Sequence, residues 1–124
     1  MKLSAVLITL NAAAQLEACL ASLRFCDEIV IVDSGSIDAT LDIAEKYGAK
    51  VVTAEWLGFG PQKQFAVTQA KHDWVLCIDS DERVSEVLAA SIVRELAAPK
   101  RRVYRFPRCN RFMGRYLRHG EGYP

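Results

Sequence analysis

The sequence predicts an α/β fold, a doubly wound and mainly parallel sheet with helices on both faces, formed as one domain over residues 1–124. Three observations point there. Short apolar runs alternate with stretches of helical periodicity, in the order strand, helix, strand, helix, strand, helix, strand. The apolar runs at 3–9, 28–32 and 74–78 are each followed closely by polar or acidic residues, the pattern of strand ends that face a ligand. Composition agrees: 51% apolar and 25% charged residues suit one globular core and exclude a disordered or fibrous chain.

Residues 3–9 are a nearly continuous apolar run, too short for a helix, and read as a strand buried on both faces. Asn11 is expected to cap the helix that follows, whose inner face carries Leu16, Leu20 and Leu23. A second buried strand spans 28–32 and ends at Asp33. Ser34, Gly35 and Ser36 then turn the chain into a helix over about 38–47, which Gly48 stops. Residues 50–53 supply a third strand and 56–60 an irregular loop, after which Pro61 suits the first turn of a helix reaching about Ala70. The fourth strand, 74–78, runs directly into Asp79, Ser80, Asp81 and Glu82. A helix from near Ser85, with Leu88, Ile92 and Leu96 inward, ends at Pro99. Residues 102–106 alternate enough for one more strand, whereas 108–124 show little periodicity and end in an aromatic, basic segment that reads as a cut chain.

The net charge of +1 conceals an uneven distribution. Residues 1–95 hold eight Lys/Arg against fourteen Asp/Glu, while 97–120 hold eight basic residues and no carboxylate. Cys19, Cys26, Cys77 and Cys109 are far apart, without metal-ligand spacing or a disulfide framework, and read as reduced cytoplasmic thiols. No run reaches the roughly 18 apolar residues of a membrane span, so membrane contact is expected only at the surface.

Thr9 and Asn11, Asp33, and Asp79 with Asp81 all follow strands, which in an open parallel sheet brings them to one rim. The pair Asp79 and Asp81, two residues apart, lets one carboxylate face a nucleotide while the other reaches a divalent ion. Hard oxygen ligands in small number favour Mg²⁺ or Mn²⁺ over zinc. An acidic turn capping the next helix is the bland alternative, and Asp38 fits such a structural role beside Asp33. Asp33 stands at the strand end, better placed to accept hydrogen bonds from a base or ribose. Lys63, with the helix start after Gly58, can approach phosphate, although the spacing is not that of a P-loop. His72 and His119 read as surface residues.

These residues resemble family 2 glycosyltransferases of the GT-A (Rossmann-like) fold. Thr9-Leu10-Asn11 is similar to that family's first strand end, residues 32–40 to its acidic strand end with a small-residue turn, and Asp79-Ser80-Asp81 to its D-x-D. Two shorter stretches, 58–64 and 115–120, resemble bacterial lipopolysaccharide core glucosyltransferases. The resemblance implies a nucleotide-sugar-binding domain, with Asp33 on uracil, Thr9 and Asn11 lining the donor pocket, Asp79 facing ribose or diphosphate, and Asp81 holding the metal. It implies inverting transfer of a sugar, glucose by the subfamily, from a UDP-sugar to a lipopolysaccharide core.

Such enzymes are about twice as long as this chain, and inversion needs a carboxylate base. Glu121 is the lone carboxylate after Glu95, so the base is expected beyond Pro124, and donor binding without efficient transfer is expected of residues 1–124 alone. The basic stretch fits an anionic core acceptor or the inner-membrane surface rather than a nucleic acid, because the acidic rim repels a polyanion. A haloacid-dehalogenase-like phosphatase using Asp79 and Asp81, and a nucleotide-binding fragment without catalysis, are the alternatives. The first usually carries its acidic pair after the first strand, not the fourth.

Overall fold

The computed structural model describes residues 1–105 and 112–115. Its elements are β1 (Leu3–Thr9), α1 (Ala13–Ala21), β2 (Glu28–Asp33), α2 (Thr40–Lys46), β3 (Lys50–Thr53), α3 (Phe59–Thr68), β4 (Trp74–Cys77), α4 (Glu86–Ala97), β5 (Val103–Arg105) and β6 (Phe112–Arg115). They build a six-stranded sheet in the order β3-β2-β1-β4-β6-β5. The first four strands pair in parallel, while β6 joins β4, and β5 joins β6, antiparallel.

The apolar runs divide their side chains between two cores, because successive residues of a strand point to opposite faces. Leu3, Ala5 and Leu7 of β1, with Ile31 and Leu76, pack against Leu16, Cys19 and Leu20 of α1, Ala44 of α2, and Ile92 and Leu96 of α4. Val6, Val30, Val32, Val75 and Cys77 pack against Ala66, Val67 and Ala70 on the α3 side. Both faces are therefore covered, which is why the runs carry few polar residues. Right-handed crossovers account for the arrangement: β1 to β2 to β3 advances one way with α1 and α2 on one face, and α3 carries the chain back over the other. The reversal falls between β1 and β4, so the C-terminal ends of those two strands flank the topological switch point.

Several local expectations are corrected. Asn11 does not cap α1; it takes a left-handed conformation (φ 50°), which Asn tolerates better than most residues. Its backbone N–H donates to Ser36 Oγ at 2.8 Å and its Oδ1 accepts from Ile37 N at 2.8 Å. The start of α1 is held instead from the neighbouring turn, where Thr40 Oγ1 accepts from Ala12 N and Asp38 Oδ2 from Ala13 N. Asp38 Oδ1 also accepts from Thr40 N at 3.0 Å, so one carboxylate serves the starts of two helices and α2 begins at Thr40 rather than 38. Pro61 falls in the first turn of α3 as expected, but the helix begins at Phe59, inside the stretch expected as loop. Its first N–H groups need no intrahelical acceptor, so Pro61 is accommodated at the third position. Ser85 does cap α4, its side chain accepting from Leu88 N at 3.1 Å. The strand expected at 102–106 is seen as Val103–Arg105, with Phe106 outside the described residues; β6 was not foreseen, since Phe112–Arg115 lacks alternation.

Candidate donor site at the switch point

Asp33 is the polar hub of the rim. It ends β2, is 1% exposed, and all of its lone-pair directions are used within the chain. Oδ1 accepts from Thr9 Oγ1 (2.7 Å) and Ser36 Oγ (2.6 Å), and Oδ2 from Gly35 N (2.9 Å) and Ser36 N (2.8 Å). Burial pushes this carboxyl up, but the hydrogen bonds from Ser36, Thr9 and Gly35 outweigh it and leave the group below its ordinary value. Thr9 is equally buried, its hydroxyl committed to Asp33. Gly35, at φ 106°, supplies the backbone angle that lets two successive N–H groups converge on one oxygen.

The acidic turn after β4 is organised by its own last residue. Glu82 Oε1 accepts from Asp79 N (3.1 Å), and Glu82 N donates back to Asp79 O (3.0 Å), closing residues 79–82 into a reciprocal turn. This engages Glu82 with the backbone. The carboxylate of Asp79 points across to α3, where Lys63 Nζ lies 3.4 Å from Oδ1, each side chain about a third exposed or more. Asp81 is exposed.

An open cleft of about 580 Å³ brings these groups together: Ile8, Leu10, Asn11, Ala12 and Gln15 from the β1–α1 segment, Phe59 and Lys63 from α3, and Asp79, Ser80 and Asp81. A second cleft, of about 400 Å³, adjoins it through Ile8, Leu10 and Phe59, and is completed by Thr9 and Trp56. Of the residues singled out in the sequence, Asn11, Lys63, Asp79 and Asp81 share the first cleft and Thr9 borders the second. Asp33 lies behind both, beneath the turn it organises. Trp56 and Phe59 escaped sequence reasoning because 56–60 read as mere loop, although two aromatic residues in a polar connection were an available signal; Gln62 escaped because nothing in its helical stretch marks a buried amide. A further cleft of about 650 Å³, lined by Arg24, Asp27, Glu28, Tyr47, Lys50 and neighbours, lies at the opposite, N-terminal ends of β2 and β3, away from Asp33, Asp79 and Asp81. His72 borders another opening with Trp74 and Arg115, also at that opposite end. Arg108, Cys109, Arg111, Arg118, His119, Glu121 and Pro124 lie outside the described residues.

The donor set suits a hard divalent ion. Among the described residues no group of three or more His, Cys, Asp and Glu converges, so an ion at this turn would need oxygens of a bound ligand or water beside Asp81. That matches Mg²⁺ or Mn²⁺, which retain waters and take phosphate oxygens as further ligands, better than a closed zinc site.

The family model described as "Glycosyl transferase family 2" matches residues 4–121. An uncharacterized glycosyltransferase of Rickettsia bellii is 49% identical over 92 residues, which cover 73% of this chain and 31% of the relative. The lipopolysaccharide core biosynthesis glycosyltransferase LpsC of Rhizobium meliloti is 42% identical over 101 residues, covering 77% and 37%. The chain thus spans about a third of the length of these relatives. Among solved structures, Staphylococcus aureus TarS in complex with UDP-GlcNAc superposes with a TM-score of 0.69 at 28% identity, covering 84% of this chain and 33% of that one. Mycobacterium tuberculosis glucosyl-3-phosphoglycerate synthase, in complex with Mn²⁺, UDP and glucosyl-3-phosphoglycerate, gives 0.67 at 26% identity, with coverage of 84% and 43%.

Proposed function

Since the chain belongs to glycosyl transferase family 2, with the GT-A fold of that family's solved structures, we propose that it forms the donor-binding part of an enzyme that moves a sugar from a UDP-sugar to a lipopolysaccharide core acceptor. One observation carries the reading. Lys63, Asp79 and Asp81, from two distant segments, line one cleft at the switch point of the sheet. A cation beside paired carboxylates suits a metal-bound diphosphate: Lys63 would meet phosphate oxygens, Asp81 would hold Mg²⁺ or Mn²⁺, Asp79 would face the ribose or diphosphate, and Asn11 lines the pocket. When bound, the ion supplies Lewis-acid stabilisation of charge on the departing diphosphate.

Asp33 serves this site from behind. Its four bonds fix the turn at 34–36 and the end of β1, and a direct contact with the base requires exchange of one of those donors. Lys63 offsets the charge of Asp79 until phosphate arrives, which keeps the paired carboxylates compatible with an anionic ligand.

The acidic residues lining the cleft are Asp79 and Asp81, both assigned to donor and ion, so the base for an inverting transfer is not taken from the described residues. The acceptor reading rests on the LpsC relative; of the exposed cations, Arg105 stands level with Cys77 towards the rim and suits a phosphorylated core, whereas Arg102 and Arg115 stand at the opposite end beside Trp74 and suit an anionic membrane surface met from the cytoplasm. Among the described residues no helix is long and apolar enough to cross a membrane. Glucose as the transferred sugar follows from the resemblance at 58–64 and 115–120 alone. Saturation-transfer NMR with UDP-glucose, UDP-N-acetylglucosamine and GDP-mannose, each with Mn²⁺, is expected to show contact with the UDP donors. Failure of every UDP donor to bind folded protein would overturn the proposal.

A further inference from the structure

Trp56 is 47% exposed and Phe59 70% exposed, yet the two rings meet edge to face with centroids 4.9 Å apart. They wall the smaller cleft with Leu10, Ile8 and Thr9. Aromatic surface left open beside a polar cleft needs a reason, since single exposed apolar residues are ordinary but a cleft walled by them is a binding feature. The two adjoining clefts differ in chemistry. One presents Lys63, Asp79 and Asp81; the other presents rings and aliphatic groups. A nucleoside diphosphate has the same division, an anionic metal-binding end and a flat ring with an apolar face.

The segment carrying Trp56 is tied down by one buried polar side chain. Gln62, 1% exposed on the inner side of α3, accepts from Leu57 N through Oε1 at 3.2 Å and donates from Nε2 to Ser34 Oγ at 3.1 Å. Its own N–H donates to Gly58 O at 3.0 Å. Ser34 follows Asp33 directly and donates its N–H to Thr9 O. Gln62 is thus the link between the aromatic segment and the turn built on Asp33. A buried amide with both ends satisfied holds its partners in one geometry, because breaking either bond leaves a polar group unpaired away from water.

We propose that Trp56 and Phe59 form the seat for the planar base of the donor, and that Gln62 is a positioning residue that fixes this seat relative to the diphosphate cleft. The inference rests on the donor reading above and adds residues that select the base rather than the phosphates. Phe59 borders both clefts, so it marks the boundary where base-binding gives way to phosphate-binding.

The test separates the two halves of the ligand. Binding of UDP, uridine and inorganic pyrophosphate, all with Mn²⁺, is measured by calorimetry for the wild type and for Trp56→Ala, Phe59→Ala and Gln62→Leu. Stacking losses predict that Trp56→Ala weakens UDP and uridine by roughly tenfold or more while pyrophosphate affinity stays within about twofold. Gln62→Leu is expected to follow the same split, and in that variant the response of Trp56 fluorescence to uridine shrinks. Unchanged pyrophosphate binding shows that a variant is folded and its phosphate cleft intact; the two exposed aromatic positions keep the test open if Gln62→Leu does not fold. Equal UDP affinity in wild type and both aromatic variants would overturn the seat. Equal loss of UDP and pyrophosphate in Gln62→Leu would overturn its positioning role. A wild type that binds neither UDP nor pyrophosphate would instead defeat the donor reading itself.

Discussion

Asp33 carries a buried negative charge whose partners, among the described residues, are neutral donors rather than a cation, and this makes its behaviour with pH specific. Its carboxyl lies below the ordinary value in the folded chain, so its contribution to stability is fully present above the unfolded pKa, near 4. That contribution is lost as pH falls through the lowered folded value. Urea unfolding between pH 6 and 3 is therefore expected to show stability declining on the acid side. In Asp33→Asn the decline should lose about one proton's worth of slope, and at pH 7 the variant should be about 1–3 kcal/mol less stable. An unchanged slope would remove Asp33 from this role. Cys26 gives a second check at the same scale. Burial pushes its thiol up to about 12, with the charge of Asp27 adding to the effect. Alkylation of Cys26 at pH 8 in the native protein is expected to run at least roughly a hundredfold slower than in urea, read by mass spectrometry.

At the level of elements, the connections that lead into helices determine where the cleft residues stand. Gly58 precedes α3 with φ 101° and ψ 161°, a region open to glycine and strained for any side chain, although space for a Cβ exists there. Gly58→Ala is expected to cost about 1–3 kcal/mol, measured by thermal or urea unfolding, and to weaken UDP more than pyrophosphate by displacing Trp56. Ser85→Ala, which removes the cap of α4 at a residue that does not line the cleft, should cost about 1 kcal/mol, read by urea unfolding. Strands buried on both faces were legible in the sequence because continuous apolar runs of 3–9 and 28–32 admit little else. Helix starts were less legible. Asn11 has the composition of a cap, but the groups that hold α1 are Asp38 and Thr40, more than 20 residues away in sequence and invisible to local pattern. β6 escaped for a similar reason: Phe112–Arg115 is stabilised by pairing with β4 and β5, not by its own alternation.

Across the whole molecule, the order β3-β2-β1-β4-β6-β5 turns separate sequence signals into one site. Asp33 and Asp79 stand 46 positions apart in the numbering, yet parallel pairing of β2 and β4 with β1 brings both to the same rim. The carboxylates could be named from sequence because parallel strand ends share a side, and Lys63 because it follows the helix start after Gly58; Gln62 and the aromatic seat could not, because their roles depend on how α3 lies across the sheet. The haloacid-dehalogenase-like reading of Asp79 and Asp81 falls with the family match. If, as we propose, residues at this rim bind a UDP-sugar through a divalent ion at Asp81, UDP binding depends on both the ion and that carboxylate. Calorimetric titration of UDP into the chain, with and without Mn²⁺ and repeated on Asp81→Ala, tests it most directly. Binding is expected to strengthen markedly with Mn²⁺ in the wild type and to lose that dependence in the variant; UDP affinity that ignores both Mn²⁺ and the loss of Asp81 would rule out an ion-bridged donor site.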